Sequence, residues 1–277
     1  MDIQLGSISR EANDYVAGWI RRQPTVKEES ITDWLLDFFH QKTPNIRYYE
    51  FNRFEEARFS GADWDWWFLL RNGCYKIRVQ AKKIRRGKDH FLELARSNQT
   101  GYQIDLLIES SSRYNFYPLY VLYGNTEGVE RCPKHSKCTV LSICSAQEVY
   151  KLLFGTKRHR VDSRDVLSLS IPLECLFTCP LVCNFSINGP EILFQHYFNS
   201  SREGKEKNSK RIDTDARQGY DVSVPNIIRL LYQMGEINDN TERILREYQS
   251  MFSGSKRVSI VRIQDDENEK IESFFGL

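Results

Sequence analysis

Aromatic and aliphatic residues crowd positions 64–70, and apolar residues alternate with polar ones along positions 75–82. Alternation of this kind is typical of a β-strand that buries one face. Asn72-Gly73 lies between the two runs, and this dipeptide is a strong signal for a two-residue turn. The pattern therefore predicts a β-hairpin, and with Asn72-Gly73 as its loop, Arg71 faces Cys74.

The register of this hairpin sets its acidic residues beside amide and ammonium groups. Counting back from the turn, Asp65 faces Gln80 and Asp63 faces Lys82. Because successive side chains on a strand point to opposite faces, one face is expected to be an apolar core of Trp64, Trp66, Phe68, Leu70, Tyr75, Ile77, Val79 and Ala81. The other face is polar and carries Asp63, Asp65, Arg78, Gln80 and Lys82.

Apolar residues at helical spacing predict two helices before the hairpin. Residues 11–23 form the first helix, which Pro24 ends. The second covers residues 26–41 and is expected to pack on the sheet through Ile31, Trp34, Leu35, Phe38 and Phe39. At about 100° per residue, Glu28 falls about 50° from the centre of this stripe and Glu29 about 150° from it. We therefore expect Glu28 to point inward, and Glu29 remains the alternative.

The elements around the hairpin predict a mixed sheet. Residues 46–56 form a strand and a connection, residues 100–111 form a helix with Gln103 at its start, and residues 116–123 form a buried strand. A strand–helix–strand order favours a right-handed crossover and parallel pairing. The predicted fold class is therefore α/β, with helices on both faces of the sheet.

The rest of the chain is predicted to be mostly helical. After a helix at residues 146–154, the stretch 199–211 lacks any apolar residue and cannot repay its ordering entropy by burial. Helices are expected at residues 224–234 and 239–252, and an alternating strand is expected at residues 257–263. We divide the chain into a domain over residues 1–198 with a Cys-containing insertion, a linker over 199–219 and a helical C-terminal extension over 220–277.

Composition narrows the classes of protein that the chain can represent. With 277 residues, of which 40% are hydrophobic, it can bury a sizeable core. Because 39 basic residues nearly balance 37 acidic ones, any nucleic-acid contact needs local basic patches. No long apolar run or secretory signal pattern is present, and seven cysteines are scattered without a disulfide framework. We therefore expect a cytoplasmic protein with reduced cysteines, not bound to a membrane.

Asp63, in Gly61-Ala62-Asp63, and the stretch Gln80-Ala81-Lys82 resemble the motif of the PD-(D/E)XK nuclease superfamily. In that superfamily an Asp on one strand and a (Glu/Gln)-x-Lys on its antiparallel neighbour hold a divalent metal beside a phosphodiester. The predicted order of elements over about residues 26–124 is also similar to its restriction-endonuclease-like core. The sequence also looks like an uncharacterised bacterial branch of this superfamily with a Gln-x-Lys motif.

This resemblance implies a role for each matching residue. Asp63 is the expected central ligand of Mg²⁺ or Mn²⁺, and Gln80, Glu28 and the backbone carbonyl of Ala81 are further metal ligands. Lys82 is expected to orient the attacking water or to meet the charge of the transition state, and the remaining catalytic candidates are Asp65 and Gln103. The implied activity is that of a metal-dependent nuclease, acting on DNA rather than RNA, in bacterial defence or restriction.

Two alternatives to a nuclease remain open. Because Gln80 supplies less negative charge than Glu, the chain can also be an inactive nuclease fold that binds nucleic acid, a protein partner or a second copy of itself. A zinc-stabilised interaction module is the other alternative, with Zn²⁺ held by Cys132, His135, Cys138 and Cys144. Buried, reduced cysteines are the simpler interpretation of those thiols.

A basic loop follows the Gln-x-Lys strand. Its cations, Lys83, Arg85, Arg86 and Lys88, are candidates for contacts with a phosphate backbone, although a solvated turn has the same composition. Among the tryptophans, Trp64 and Trp66 are expected in the core. Trp67 points to the acidic face and is either buried or a stacking platform for bases.

Overall fold

The computed structural model describes residues 3–51, 60–70, 73–84, 94, 97–98, 101–124, 132, 139–155, 162–178, 218–234, 238–252 and 255–263. The helices are α1 (Ile3–Arg22), α2 (Glu28–Lys42), α3 (Gln103–Arg113), α4 (Ala146–Phe154), α5 (Ser163–Ser168), α6 (Cys175–Thr178), α7 (Asn226–Met234) and α8 (Asp239–Phe252). The strands are β1 (Ile46–Glu50), β2 (Trp64–Leu70), β3 (Gly73–Lys83), β4 (Ser97–Asn98), β5 (Gly101–Tyr102), β6 (Tyr117–Tyr123), β7 (Leu141–Ser145), β8 (Ile171–Pro172), β9 (Tyr220–Asp221) and β10 (Arg257–Arg262).

One mixed sheet organises the described residues, in the strand order β1-β10-β2-β3-β6-β7-β8, with β9 beside β3. Strands β2 and β3 pair antiparallel, as the predicted hairpin requires, and β3 and β6 pair parallel across the crossover through α3. The predicted α/β class with a mixed sheet is confirmed. Helices α4 and α8 have the predicted bounds, whereas α1 begins earlier than the predicted residue 11.

The hairpin register differs from the predicted one by two residues. Leu70 pairs with Gly73, and Asp65 pairs with Arg78 instead of Gln80. Because a shift of two residues keeps every side chain on its face, the predicted apolar face is nevertheless correct. Gly73 is a strand residue with φ of 141°, and a side chain there would overlap the carbonyl oxygen of Asp221 in β9. The neighbouring strand, rather than the turn, requires this glycine.

Helices cover both faces of the sheet. Helices α1, α2 and α6 pack on the face that carries Trp64, Ile77 and Val121, which we call the α2 face. The opposite face, which we call the α3 face, is covered beside β6 and β7 by α3, α4 and α5, and beside β2 and β10 by α7 and α8. No helix among the described residues is long and apolar enough to cross a bilayer.

The C-terminal segment contributes to the sheet itself. Strand β10 lies between β1 and β2, antiparallel to the first and parallel to the second. Its residues Val258 and Ile260 pack under α7 and α8. The strand predicted at residues 257–263 is confirmed as β10, and it lies within the sheet rather than in a helical extension.

Trp67 belongs to the core. Its side chain is fully buried, its ring meets that of Phe116 edge to face, and its indole N–H donates to the hydroxyl of Tyr248 at 3.0 Å. A fully buried indole has no face to offer a nucleobase, so the interpretation of Trp67 as a stacking platform is wrong.

Candidate active site

Asp63 lies where β2 begins and approaches the carboxyl end of β3. Its backbone N–H donates to the carbonyl of Val79 at 2.8 Å, and its carboxylate oxygen Oδ2 accepts from the backbone N–H of Ala81 at 2.9 Å. The residue keeps part of its surface exposed, but burial of the carboxyl raises the pKa of Asp63, while Lys82 and the Ala81 N–H lower it in part. The interactions with Lys82 and the Ala81 N–H therefore do not fully offset the free energy that the ionised carboxylate of Asp63 loses when it is removed from water.

Gln80 and Gln103 extend this arrangement into a chain of amides. The amide nitrogen Nε2 of Gln80 donates to Asp63 Oδ2 at 2.6 Å and to the carbonyl oxygen of Ala81 at 3.1 Å. In turn, Gln103 Nε2 donates to Gln80 Oε1 at 2.7 Å. The structure therefore brings together four of the predicted residues, Asp63, Gln80, Ala81 and Gln103.

Gly61 allows the first turn of α3 to approach Asp63. Its φ of 66° lies in the left-handed region that favours glycine, and a Cβ at this position would overlap the carbonyl oxygen of Gln103. Ser110, further along α3, donates from its hydroxyl to the carbonyl of Ser60 at 2.9 Å. The Gly-Ala-Asp sequence thus positions the start of α3, and with it Gln103.

Glu28 and Lys82 complete the cluster from the other side. Glu28 is the first residue of α2, and its Oε1 lies 3.8 Å from Lys82 Nζ. Its Oε2 accepts a hydrogen bond of 2.6 Å from the backbone N–H of Lys83. The predicted inward orientation of Glu28 is confirmed, since Glu29 is exposed to solvent.

Asp65 belongs to a different network. It forms a buried ion pair with Arg78, at 2.8 Å from Nε to Oδ1 and 3.0 Å from Nη2 to Oδ2. The hydroxyls of Tyr248 and Ser255 also donate to Oδ2, at 2.9 and 2.5 Å. These three partners make four hydrogen bonds to the carboxylate, and the structure does not bring Asp65 to the Asp63 cluster, contrary to its prediction as a catalytic residue.

Lys83 also has a structural position. Its ammonium donates to the backbone carbonyls of Pro24 and Val26, at 2.7 and 2.6 Å, and so holds the segment between α1 and α2. Since two backbone carbonyls engage the ammonium, the structure gives Lys83 a structural role, and its contact with a phosphate backbone stays a prediction. Arg85, Arg86 and Lys88 lie outside the described residues.

Two of the four thiol and imidazole groups proposed for zinc lie on opposite sides of the sheet. Cys132 packs on the α2 face and Cys144 on the α3 face. The structure therefore does not bring these two thiols to one site, and His135 and Cys138 lie outside the described residues. Both cysteines are buried and free of disulfides.

The donor set beside Asp63 fits a small divalent cation. Asp63 Oδ2 and the Ala81 carbonyl oxygen both converge on one polar atom, Gln80 Nε2, at 2.6 and 3.1 Å. Adjacent oxygen ligands of an octahedral Mg²⁺ lie about 2.9 Å apart, because each ligand is about 2.1 Å from the ion. If the Gln80 amide turned by 180°, its oxygen would lie at about this spacing from each of the other two oxygens. No group of three or more His, Cys, Asp or Glu residues suited to a metal occurs in the described part of the chain.

Tyr120 is a neighbour of the site that the sequence did not single out. It pairs with Gln80 in the β3–β6 ladder, and its hydroxyl is buried without a hydrogen-bond partner among the described residues. Burial raises the pKa of Tyr120. A buried strand residue of this kind carries no chemical signal in the sequence, because its proximity to Gln80 depends on the parallel pairing.

Comparison with known proteins gives one match. No curated protein and no solved structure matches the chain significantly. A family model matches residues 6–269, which is nearly the whole chain, and its description is "Family of unknown function (DUF6615)". The chain that carries this Asp63–Gln80–Gln103 cluster therefore belongs to the DUF6615 family.

Proposed function

We propose that the protein is a divalent-metal-dependent nuclease that hydrolyses phosphodiester bonds in DNA, with a restriction-endonuclease-like core. The observation that carries this proposal is the convergence of Asp63 Oδ2 and the Ala81 carbonyl on one point beside Lys82 and Glu28. The PD-(D/E)XK resemblance supports the same residues independently of their geometry. A role in bacterial defence or restriction rests on that resemblance alone.

The protein residues in this proposal have separate tasks. Asp63, the carbonyl of Ala81 and the side chain of Gln80 hold Mg²⁺ or Mn²⁺, with Glu28 as a further acidic ligand. When bound, the ion neutralises charge on the phosphate and lowers the pKa of a coordinated water. Lys82, which is almost fully buried at the edge of the cluster, supplies a positive charge toward the phosphate where negative charge develops.

A cleavage assay tests the proposal. Purified protein is incubated with Mg²⁺ or Mn²⁺ and with double-stranded DNA, single-stranded DNA or RNA. We expect DNA cleavage by the wild type and a loss of about 100-fold or more in Asp63→Ala and Lys82→Ala, the scale seen when a group that stabilises transition-state charge is removed. Lys42→Ala is the matched control, because Lys42 lies at the exposed end of α2 and pairs with Glu11.

A second candidate function is nucleic-acid binding without cleavage. The observation that favours it is the neutral Gln80 amide, which already satisfies Asp63 through a hydrogen bond and adds no negative charge. In that case the wild type would bind DNA in the presence of Mg²⁺ and leave it intact. The same assay, read beside a binding measurement, separates the two functions.

A further inference from the structure

An unbroken chain of hydrogen bonds connects Gln103 to the proposed metal ligands. Gln103 Nε2 donates to Gln80 Oε1 at 2.7 Å, and Gln80 Nε2 donates to Asp63 Oδ2 at 2.6 Å and to the Ala81 carbonyl at 3.1 Å. Gln80 thus turns its N–H groups toward the oxygens that would hold a cation. In this orientation its own oxygen faces away from them.

The opposite orientation of Gln80 is unfavourable unless a cation is present. Turned by 180°, the side chain would place Oε1 against a carboxylate oxygen and a carbonyl oxygen, with no proton among the three. Acceptors that share no donor leave buried polar groups unsatisfied. With a divalent cation among them, the same three oxygens become the hard ligands that Mg²⁺ prefers. The cation therefore selects the orientation of the Gln80 amide.

Gln103 must turn together with Gln80. After rotation, Gln80 presents Nε2 to Gln103, so Gln103 has to offer an acceptor in place of its present donor. Gln103 Oε1 is buried without a hydrogen-bond partner among the described residues. Rotation of the Gln103 amide thus replaces one hydrogen bond to Gln80 with another and breaks no bond of Oε1.

We propose that Gln80 and Gln103 form a two-amide switch that reports occupancy of the cation site. Without a cation, both amides point their nitrogens along the chain toward Asp63; with a cation, both reverse, and Gln103 Oε1 accepts from Gln80 Nε2. Gln103 is then a positioning residue that acts on the site through Gln80. This inference rests on the metal site of the proposed function, but it does not require that the protein cleave DNA.

The side-chain amide resonances of ¹⁵N-labelled protein test the switch directly. The resonances of Gln80 and Gln103 are assigned from their disappearance in Gln80→Met and Gln103→Met. Titration with Mg²⁺ alone should shift both amides with one common saturation curve. A curve for Gln80 without any change at Gln103, or saturable binding without a change at either amide, overturns the switch.

Two variants of Gln103 separate hydrogen bonding from charge. Glu at this position, when ionised, only accepts, so in Gln103→Glu the hydrogen bond to Gln80 Oε1 is lost and the metal-free Gln80 amide resonance should move toward its Mg²⁺-bound position. Mg²⁺ should bind about 2- to 10-fold more tightly, the scale of one net hydrogen bond. Gln103→Met neither donates nor accepts strongly, so its metal-free Gln80 resonance should stay near the wild-type position. Tighter binding by Gln103→Glu with a wild-type metal-free Gln80 resonance indicates a charge effect alone and contradicts the switch.

The outcomes distinguish the switch from the proposed function. Coupled amide shifts with Mg²⁺ but no cleavage of DNA support the switch and contradict the nuclease. Cleavage that requires Asp63, with amide resonances unchanged by Mg²⁺, supports the nuclease and overturns the switch. Failure of Mg²⁺ to bind at all overturns both.

Discussion

The amide of Gln80 donates a hydrogen bond of 2.6 Å to the carboxylate of Asp63. In the PD-(D/E)XK motif that the sequence resembles, Glu is commoner than Gln at this position. In the metal-free protein this bond compensates a buried negative charge that a second carboxylate would repel. Gln80 therefore stabilises the metal-free protein, whereas a second carboxylate at this position would increase the negative charge of the site.

Gln80→Glu should destabilise the metal-free protein and strengthen the binding of Mg²⁺. Without metal, the free energy of unfolding should fall by about 1–3 kcal/mol, because the donor is lost and a like charge is added. Mg²⁺ should bind about tenfold more tightly, which corresponds to ~1.4 kcal/mol. Thermal denaturation in EDTA and calorimetric titration measure the two effects. Gln80→Met is the control, since it removes the donor without adding charge and should weaken Mg²⁺ binding; equal affinities in all three proteins would contradict the assignment of Gln80 as a ligand.

The raised pKa of Asp63 gives the metal-free protein a defined pH dependence. Because burial raises the pKa of this carboxyl in the folded state, the folded protein binds the proton more tightly than the unfolded chain does. The free energy of unfolding should therefore fall as pH rises from 3.8, the ordinary value for Asp, through the raised pKa. Since Mg²⁺ competes with this proton, its affinity should rise over the same window.

Asp63→Asn is the matched variant for this pH effect. It should lose that part of the pH dependence and, above the window, should be more stable than the metal-free wild type. Melting temperatures across pH in EDTA provide the test. A wild-type pH profile in Asp63→Asn would assign the effect to another group.

Lys82 and Lys83 are adjacent lysines with different predicted roles. Lys82→Met should reduce cleavage by about 100-fold or more with a small change in stability, because the ammonium faces the cluster. Lys83→Met should cost about 1–3 kcal/mol of unfolding free energy, because the Pro24 and Val26 carbonyls lose a charged donor. Its cleavage rate, measured at a temperature where the variant is folded, should stay within a few-fold of wild type. The reverse pattern would contradict both assignments.

Asp65→Ala should destabilise the fold strongly. Asp65 and Arg78 are both fully buried, and loss of one partner leaves the other charge in the core at a cost of about 3–5 kcal/mol. Asp65→Leu combined with Arg78→Met should lose less, because no buried charge remains. Urea denaturation measures both variants. Mg²⁺ affinity should be unchanged in whichever variant folds, and a large loss of affinity with intact stability would restore Asp65 to the site.

Gly61→Ala tests the approach of α3 to Asp63. A methyl group in the left-handed conformation, in conflict with the carbonyl oxygen of Gln103, should cost about 1–3 kcal/mol and weaken Mg²⁺ binding by moving the start of α3. Gly18→Ala is the control. Gly18 lies in the last two turns of α1, and its added methyl group would meet only the flexible end of the Arg22 side chain, at 3.1 Å. That change should stabilise the protein by up to about 1 kcal/mol. Equal behaviour of the two variants would show that Gly61 does not position the site.

The local pattern predicted which face each hairpin residue occupies, but it could not set the pairing. Alternation defines faces with a period of two, so Asp63, Gln80 and Lys82 were placed on one face despite an error of two residues in register. In the observed register, Gly73 lies against Asp221 of β9, which is distant in sequence. The alternation of apolar and polar residues along a strand cannot indicate contacts between residues that are distant in sequence.

The same limit explains why the sequence did not separate Asp65 and Lys83 from the residues of the site. The partners of Asp65 in the C-terminal region, Tyr248 and Ser255, are brought close only by the completed sheet. Lys83 is the same residue type as its neighbour Lys82, but it lies on the other face of β3. Its ammonium donates to backbone carbonyls in the segment before α2. By contrast, Glu28 was placed correctly, because the orientation of a residue on an amphipathic helix is a local property.

The position of β10 has a consequence for the order of folding. Among the described residues, β1 joins the sheet only through β10, with Ile46 beside Val261. Strand β1 therefore cannot form its hydrogen bonds to the sheet until β10, from the other end of the chain, is in place. Closing so long a loop has a high entropic cost, and the step is therefore expected to be slow. Amide protons of β1 and β10 should gain protection from exchange together during refolding, later than those of the β2–β3 hairpin.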